Sequence, residues 1–291
     1  MASGEVFVCG NSEDGKLGIG PSILEMSDHS QYLPRMLSSV PIISKISCGY
    51  THTAAIDLNG GVWVWGSGWS GKLGTGNTET YYEPYNVKLE SFAPDPSGKL
   101  VKIACGEDHT VVVTSDGFVY SAGIAKYAGH RRSNMNISIR YFTLISDVEE
   151  KISKIAVGRN HSIAITVSGN TYGWGETRYS KLGAGPFKED PDDKDITYPT
   201  ILHTGTALIT KASCGPNHTA CIASDGAIVV WGSTLKGRLG IGEPYKKSKK
   251  EESRSDKKIT EVPVPLVLAG LQRWLLENKK KIKKEVSAPS A

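Results

Sequence analysis

The chain has 291 residues, of which 39% are hydrophobic and 22% are charged, and its formal net charge is +4. These values are typical of a globular protein and exclude intrinsic disorder for most of the chain. The apolar runs fall well short of the ~20 residues that a membrane-spanning helix needs, and residues 1–10 lack the pattern of a secretory signal peptide, so we expect an intracellular protein, cytoplasmic or nuclear, that is neither secreted nor bound to a membrane.

Positive charge is concentrated in two segments. Residues 246–258 and residues 273–285 each carry a net charge of +4, which leaves the rest of the chain at about −4. This distribution excludes a uniformly basic surface for nucleic acid and confines any attraction for anions to one loop and one tail.

Four internal repeats follow a half-copy at the N-terminus. In each repeat a glycine is followed three residues later by histidine, and the four glycines are 57, 52 and 57 residues apart. A second glycine closes each copy, and Gly10 marks the half-copy. The leading glycines are Gly49, Gly106, Gly158 and Gly215, the histidines are His52, His109, His161 and His218, and the closing glycines are Gly66, Gly123, Gly175 and Gly232.

Each copy predicts a β-hairpin. Two short apolar runs flank a turn such as Asn59-Gly60-Gly61 or Asp116-Gly117, and turns of this kind favour hairpins because they tolerate a positive φ. A loop ending in Lys or Arg, Leu and Gly follows all but one copy. We therefore predict an all-β propeller of four-stranded antiparallel blades with a short basic C-terminal helix or tail.

At these residues the chain resembles the regulator of chromosome condensation repeat family. The resemblance rests on Cys-Gly-x-x-His-Thr, Ser-Asp-Gly, Trp-Gly and Leu-Gly, which recur over residues 4–271. It implies a propeller fold, and it implies varied functions, since some members exchange nucleotide on the Ran GTPase and bind nucleosomes, while others are scaffolds, ubiquitin-ligase modules or ciliary proteins.

The number of repeats departs from the family pattern. Family rings usually have about seven blades, whereas this chain holds repeats for at most five. We expect residues 5–9 to form the outer strand of a blade whose first part is missing, and residues 261–271 to begin a unit that breaks off. The alternatives are a ring of about five blades with a composite seam, an open arc completed by another chain, and a shortened relative of a larger ring. An unpaired seam would offer a site for strand addition. The propeller would span residues 1–271, with a basic loop at 243–260 and a basic extension at 272–291.

The repeated histidines and cysteines indicate structure rather than chemistry. Each Cys and His pair lies in a different blade and cannot converge on one metal ion, so we expect the histidines to bond backbone or hydroxyl groups and the cysteines to be reduced and buried. No nucleophile with a base and no phosphate-binding loop is evident. The sequence predicts no enzyme, no metal and no cofactor. A light-sensing member of the family carries tryptophan between the motif's glycine and histidine, and the absence of tryptophan there disfavours that function.

Several side chains outside the repeat are candidates for binding a partner. Trp69 lies in a loop, tyrosines follow it, and the second full copy, which has Ala122 in place of tryptophan, is followed by a divergent loop at residues 124–132. For the tyrosines, covering a blade edge is an equal alternative. Lysines of the basic segments could bind an acidic surface such as a nucleosome or a microtubule, or serve solubility alone, and residues 269–284 predict a short amphipathic helix. The candidates are Trp69, Tyr81, Tyr82, Tyr85, His130, Arg131, Arg132, Lys246, Lys247, Lys249, Lys250, Lys280 and Lys281.

The preferred hypothesis is a non-catalytic scaffold or adaptor that binds protein partners, as a subunit of a larger assembly. The alternative, which only the resemblance implies, is a guanine-nucleotide exchange factor for a small Ran-like GTPase, associated with chromatin through residues 246–258.

Overall fold

The computed structural model describes residues 4–21, 29–131, 134, 136–185, 195–204, 208–241 and 261–268. Within these ranges the chain forms one two-stranded sheet and four blades, each an antiparallel sheet of four consecutive strands. The second blade carries one additional short parallel strand at its outer edge.

The sheets follow one another in chain order. The two-stranded sheet consists of β1 (Phe7–Asn11) and β2 (Ser30–Met36). The first blade consists of β3 (Ile43–Cys48), β4 (His52–Asp57), β5 (Val62–Gly66) and β6 (Tyr81–Val87). The second blade consists of β7 (Phe92–Ala93), β8 (Leu100–Cys105), β9 (His109–Thr114), β10 (Val119–Ile124) and β11 (Ser138–Leu144), with the helix α1 (Ala125–Ala128) between its last two strands. The third blade consists of β12 (Ile152–Val157), β13 (His161–Thr166), β14 (Thr171–Gly175) and β15 (Ile196–Ile201). The fourth blade consists of β16 (Ile209–Cys214), β17 (His218–Ala223), β18 (Ile228–Ser233) and β19 (Glu261–Val267).

The first strand of each blade lies at the centre of the molecule. Strand β3 packs against β8, β8 against β12, and β12 against β16. The second strands β4, β9 and β13 are buried along their whole length, because each is covered by strands on both sides and by neighbouring blades. Their near-continuous apolar sequences reflect this two-sided burial. The predicted propeller of four-stranded antiparallel blades is confirmed, and its described part is an arc of four complete blades and a half-blade.

The ends of the arc differ from the prediction. The first two strands pair with each other, and Gly10 in β1 has the positive φ of the closing glycine Gly66, so β1 corresponds to the third strand of a blade and β2 to the outer strand. The prediction that residues 5–9 form an outer strand was wrong. Pro263 lies in β19, which completes the fourth blade beside β18, and no composite blade joins the two ends within the described ranges. Proline suits an outer strand because it lacks an amide hydrogen for a further ladder.

Three tryptophans occupy equivalent positions in the core. Trp65, Trp174 and Trp231 are completely buried. The second blade has Ala122 at this position, and the buried ring of Phe142 from β11 packs in the same core, stacked on Phe92 with 5.1 Å between ring centroids. Where β10 has alanine in place of tryptophan, the neighbouring strand β11 therefore contributes an aromatic ring to the core.

Lys-Leu-Gly loops hydrogen-bond to the blade that follows them in the chain. The carbonyl of Lys16 accepts hydrogen bonds from the indole of Trp65 and the hydroxyl of Thr53, at 2.9 Å each. The carbonyl of Lys181 receives the equivalent pair from Trp231 at 2.9 Å and Thr219 at 2.8 Å. The loops therefore act as latches between blades.

In the second blade, which lacks this loop, α1 takes its place. Gly129 ends the helix with φ 86° and lies against the indole of Trp174. Trp174 Nε1 has no hydrogen-bond partner among the described residues, in contrast to the other two core indoles. The helix thus packs against the indole as a Lys-Leu-Gly loop does, but it does not supply a carbonyl that accepts the indole hydrogen bond.

All five cysteines fall within the described residues, and all are free. Cys105 and Cys221 are buried as expected, and Cys214 is only partly buried. The expectation of burial was wrong for Cys9 and Cys48, which are exposed because β1 and β3 lie at the uncovered end of the arc.

Candidate interaction surface

The repeated histidines connect neighbouring blades. His52 Nε2 lies 2.8 Å from the hydroxyl of Thr110, His109 Nε2 lies 2.8 Å from that of Ser162, and His161 Nε2 lies 3.0 Å from that of Thr219. In every case the hydroxyl belongs to the residue that follows the histidine of the next blade. We call these three contacts the histidine ladder.

Burial keeps the reactive groups of the repeat neutral. It lowers the pKa of His52 and of His109 to about 3 and holds the pKa of His161 well below its usual value. It raises the pKa of the Cys105 and Cys214 thiols to about 12. At neutral pH these imidazoles are uncharged and too weakly basic to accept a proton, and these thiols stay protonated and are therefore poor nucleophiles. In the part of the chain that the structure describes, no cluster of three or more His, Cys, Asp or Glu side chains could hold a metal ion.

The loops between the first and second strands surround an open axial cavity of about 330 Å³. The variable residue that follows the glycine of each motif stands at its mouth, and these residues are Tyr50, Glu107, Arg159 and Pro216. The four blades therefore place four different side chains around one axis.

Arg159 organises this mouth. Its guanidinium binds both carboxylate oxygens of Glu107, with Nε to Oε2 at 2.6 Å and Nη2 to Oε1 at 2.7 Å. Its Cζ atom lies 5.8 Å from the ring centroid of Tyr50, whose side chain is 68% exposed. The hydrogen bond from Arg159 holds the pKa of Glu107 below its usual range. A paired charge beside an exposed aromatic ring is a composition typical of binding surfaces.

Lys72 links the mouth to Trp69. Its ammonium group is buried and donates to the hydroxyl of Thr51 at 2.8 Å, the carbonyl of Glu107 at 3.1 Å and a carboxylate oxygen of Asp108 at 3.2 Å. The same Nζ lies 5.9 Å from the ring centroid of Trp69. We call Tyr50, Trp69, Glu107 and Arg159, which these contacts connect, the rim surface.

A repeated 3-10 turn presents Trp69 to solvent. The turn Trp69–Gly71 has Ser70 at its centre with φ 65°, and equivalent turns have a left-handed central residue at the same place. The first residue of this turn is exposed in each copy, and Trp69 is 61% exposed. The equivalent turns are Glu13–Gly15, Arg178–Ser180 and Leu235–Gly237, and a separate 3-10 segment, Leu89–Ser91, precedes β7. An anchor on such a fixed turn loses little conformational entropy when it binds.

The three candidate tyrosines lie on the outer strand β6 and are half-buried. The rings of Tyr81 and Tyr85 are 4.7 Å apart and pack against the core shared by the first two blades, while Tyr82 lies against Gly15. These contacts are those of side chains that cover the edge of a blade. Covering the edge is the alternative to binding a partner that the sequence left open for these tyrosines.

The candidates in the divergent loop have separate environments. His130 is buried, with Nε2 2.9 Å from the hydroxyl of Ser121. Arg131 is exposed, donates to Asp147 at 2.9 Å and stacks on Tyr198 with Cζ 3.6 Å from the ring centroid. The remaining candidates, together with the predicted helix, the basic loop and the basic extension, lie outside the described residues: Arg132, Lys246, Lys247, Lys249, Lys250, Lys280 and Lys281.

Sequence reasoning missed Tyr50, Glu107 and Arg159. The signal for them was present, because these positions vary inside a motif whose flanking glycine and histidine are the same in all four copies. Variable residues at a fixed place in a repeat are those that packing leaves free for binding.

Both the motif repeats and the blade geometry belong to one known family. The sequence matches the family model described as RCC1-like domain over residues 1–284. The chain belongs to the RCC1-like domain family. The resemblance that the motifs indicated is therefore confirmed.

Relatives of this RCC1-like chain include the ultraviolet-B receptor UVR8 of Arabidopsis thaliana. The two are 33% identical over 245 residues, which cover 82% of this chain and 51% of the receptor. The chain thus spans about half the length of this relative.

Solved propellers share the fold. Human WBSCR16 has a TM-score of 0.72 at 23% identity, covering 91% of this chain and 67% of that one. Prp20p of Saccharomyces cerevisiae, whose structure was described with its binding to Gsp1p and histones, has a TM-score of 0.58 at 20% identity, covering 92% of this chain and 75% of that one. At these identities the likeness concerns the fold alone. Within the described residues, no helix is both long and apolar enough to cross a bilayer.

Proposed function

We propose that this RCC1-like chain is a non-catalytic scaffold that binds a protein partner through the rim surface. The observation that carries the proposal is that the repeated histidines serve packing, while variable residues of the same repeats are exposed. His52, His109 and His161 are buried in contacts between blades. Tyr50 and Trp69 are exposed instead, and Tyr50 lies beside the Arg159 side chain that is paired with Glu107. Aromatic and arginine side chains held on a rigid frame contribute most of the energy at protein interfaces.

The charge and the aromatic rings of the rim surface indicate the chemistry of the segment that it binds. The Arg159 side chain stays 51% exposed although its guanidinium is paired, and the aromatic rings of Tyr50 and Trp69 are exposed as well. Such a surface fits a segment that combines apolar or aromatic side chains with a carboxylate, which can share the guanidinium with Glu107. The five free cysteines support a reducing, intracellular compartment.

Three other functions receive less support. Prp20p binds Gsp1p and histones, but at 20% identity the exchange-factor alternative stays a prediction, which a nucleotide-release assay with a Ran-like GTPase tests. The role of UVR8 as a light receptor is not carried over, since the motif positions hold Tyr50, Glu107, Arg159 and Pro216 rather than tryptophan. Chromatin binding through residues 246–258 stays a prediction as well, and deleting that segment should abolish salt-sensitive nucleosome binding if it holds.

The test is affinity purification of the tagged chain from its native cells at moderate salt, followed by mass spectrometry. We expect one or more proteins to be retained in stoichiometric amounts by the unmodified chain and lost from Trp69→Ala. The matched control is Leu235→Ala, because Leu235 is the exposed first residue of the equivalent turn in the fourth blade. Equal retention by both variants would show that the rim surface does not bind the partner, and turnover of a substrate by the purified chain alone would contradict a non-catalytic role.

A further inference from the structure

Each complete blade carries a lysine at the same place on its first strand. In all four blades this lysine pairs in register with the fifth residue of the second strand. The first strands lie at the centre of the molecule and pack against one another, so the lysines stand around its axis at one depth. Their spacing of 57, 52 and 57 residues along the chain hides this grouping in the sequence. We call them the lysine row, and its members are Lys45, Lys102, Lys154 and Lys211.

Two contacts show that the side chains of the row extend toward the blade that follows. Lys154 Nζ donates to the carbonyl of Thr210, which is the residue before Lys211 on β16. Lys45 shares a face of β3 with Ser47, because alternate residues of a strand point to the same side. The hydroxyl oxygen of Ser47 accepts a hydrogen bond of 3.0 Å from the amide of Cys105 on β8, so this face is turned to the second blade.

The positive charges of the row are close enough to act on one another. Lys102 is half-buried, while Lys45, Lys154 and Lys211 are exposed. Burial and the like charges of Lys45 and Lys154, one on each side, lower the pKa of Lys102 below its usual value. An anion that touches several members of the row would relieve this repulsion.

No carboxylate neutralises the row. In the ranges that the structure describes, none of its four lysines forms an ion pair. The two buried lysines of the Lys-Leu-Gly loops differ in this respect, since Lys72 pairs with Asp108 and Lys181 pairs with Glu176. Positive charge that is gathered around one axis without partners attracts anions to that place.

The arrangement favours a compact anion over an extended one. In an extended acidic peptide the side chains on one face recur about every 7 Å, so few carboxylates could reach a row that lies at one depth. A small molecule with several phosphate groups concentrates its charge at one level. Lysine also suits phosphate, because its ammonium group binds as a compact point charge.

We infer that the lysine row is a binding site for a compact polyphosphate, a small molecule that carries several phosphate groups. Ammonium groups from neighbouring blades bind different phosphates of one ligand, so the ligand joins the blades around the axis. The phosphates could be arranged on a ring or in a linear chain, and the choice of probes separates these two sources.

Calorimetric titration of the full chain tests the inference, with inositol hexakisphosphate as the ring-shaped probe and inorganic tripolyphosphate as the linear one. We expect saturable binding of one molecule per chain for at least one probe, and the tighter of the two identifies the arrangement of the phosphates. A hexaglutamate peptide serves as the competing class. Absence of saturable binding for both phosphates, or tighter binding of the peptide than of either, would overturn the inference.

Variants of single lysines locate the binding. Lys102→Gln should weaken binding of the phosphate probe by about tenfold or more, because it removes the charge at the middle of the row. Lys45→Gln makes the same test on an exposed side chain and should also weaken binding. The matched control is Lys88→Gln, which removes an equal charge from an exposed side chain just after β6.

The control also accounts for the basic segments 246–258 and 273–285, which all three variants retain. Equal affinities in Lys102→Gln, Lys45→Gln and Lys88→Gln would place the binding outside the row and contradict the inference.

The row and the rim surface can fail separately. Each lysine precedes the glycine of its motif by four residues, which places the row about 13 Å along the strands from the loops that carry Tyr50 and Arg159. Trp69→Ala should therefore bind the phosphate probe as the unmodified chain does. Loss of that binding in Trp69→Ala would count against the row as the site.

Discussion

His109 Nε2 and Ser162 Oγ meet at 2.8 Å across the boundary between the second and third blades, and both side chains are buried. This contact joins residues that belong to different sheets and are 53 positions apart. It shows how one repeated polar residue connects sheets that otherwise meet through apolar packing.

Removing this contact should destabilise the protein substantially. His109→Ala leaves a cavity and the buried Ser162 hydroxyl without its partner, so we expect the free energy of unfolding to fall by about 2–4 kcal/mol. Urea unfolding monitored by tryptophan fluorescence measures the change. His203→Ala is the control because His203 is exposed, and it should alter stability by less than about 0.5 kcal/mol. Similar losses in the two variants would contradict the assigned role of the ladder.

Stability should fall as the solution becomes acidic. Burial lowers the pKa of His52 and His109 to about 3 from 6.5, so between these values the unfolded chain binds protons that the folded chain does not. The contribution of each histidine is therefore complete above pH 6.5 and is lost as the pH falls toward 3, at about 1.4 kcal/mol per pH unit for each. Urea unfolding across this range should show a shallower dependence for His109→Gln than for the unmodified chain. An unchanged slope would mean that His109 is protonated in the folded state.

Lys72 should contribute more to stability than an exposed lysine with a similar ion pair. Its side chain is 3% exposed, and Lys72→Met would leave the carbonyl of Glu107 and the partly buried carboxylate of Asp108 without this donor. We expect a loss of about 3–5 kcal/mol, compared with at most about 1 kcal/mol for Lys126→Met, whose pair with Asp195 is partly exposed. Thermal unfolding of both variants decides the comparison. Adding Asp108→Asn to Lys72→Met should recover part of the loss, and no recovery would show that packing alone was affected.

Gly129 should tolerate alanine less well than a glycine of the same conformation in an open turn. Gly129 has φ 86° and Gly226 has φ 83°, but a Cβ atom at Gly129 would lie 2.9 Å from Trp174 Nε1, whereas at Gly226 it would meet nothing within 4 Å. Both alanine variants carry backbone strain of about 1–2 kcal/mol. The collision with Trp174 should add about 1–3 kcal/mol to Gly129→Ala alone. Chemical denaturation of the pair measures this difference, and equal stabilities would show that the indole moves away without cost.

The fold could be predicted from the sequence wherever a repeated residue type is required by the local backbone conformation. A glycine with positive φ, a histidine three residues after another glycine and turns such as Asn59-Gly60 recur because each blade repeats the same backbone geometry. The order of strands at the N-terminus was misassigned because residues 5–9 are compatible with either of two positions, and only the position of Gly10 in β1 decides between them.

The candidate site is built from contacts between residues of different strands and blades, and the spacing of residues along the chain does not predict such contacts. Phe142 packs into the core where Ala122 replaces tryptophan, although the two residues are 20 positions apart on neighbouring strands. Arg159 and Glu107 meet because different blades place them around one axis. The exposure of Trp69 could be expected because the residue lies in a loop, whereas the sequence does not distinguish a half-buried tyrosine on an outer strand from an exposed one. The role of Trp69 as an anchor stays a prediction.

The histidine ladder also gives the arc a direction. Each contact runs from a histidine to the hydroxyl of the blade that follows it in the chain, so one terminus of the described arc presents His218 and the other presents Thr53. Two identical termini brought together would place imidazole against imidazole or hydroxyl against hydroxyl, and neither pairing reproduces the native bond. An association through these termini would therefore have to join unlike ends in a heterologous contact, because a two-fold symmetric dimer built on them would pair like groups.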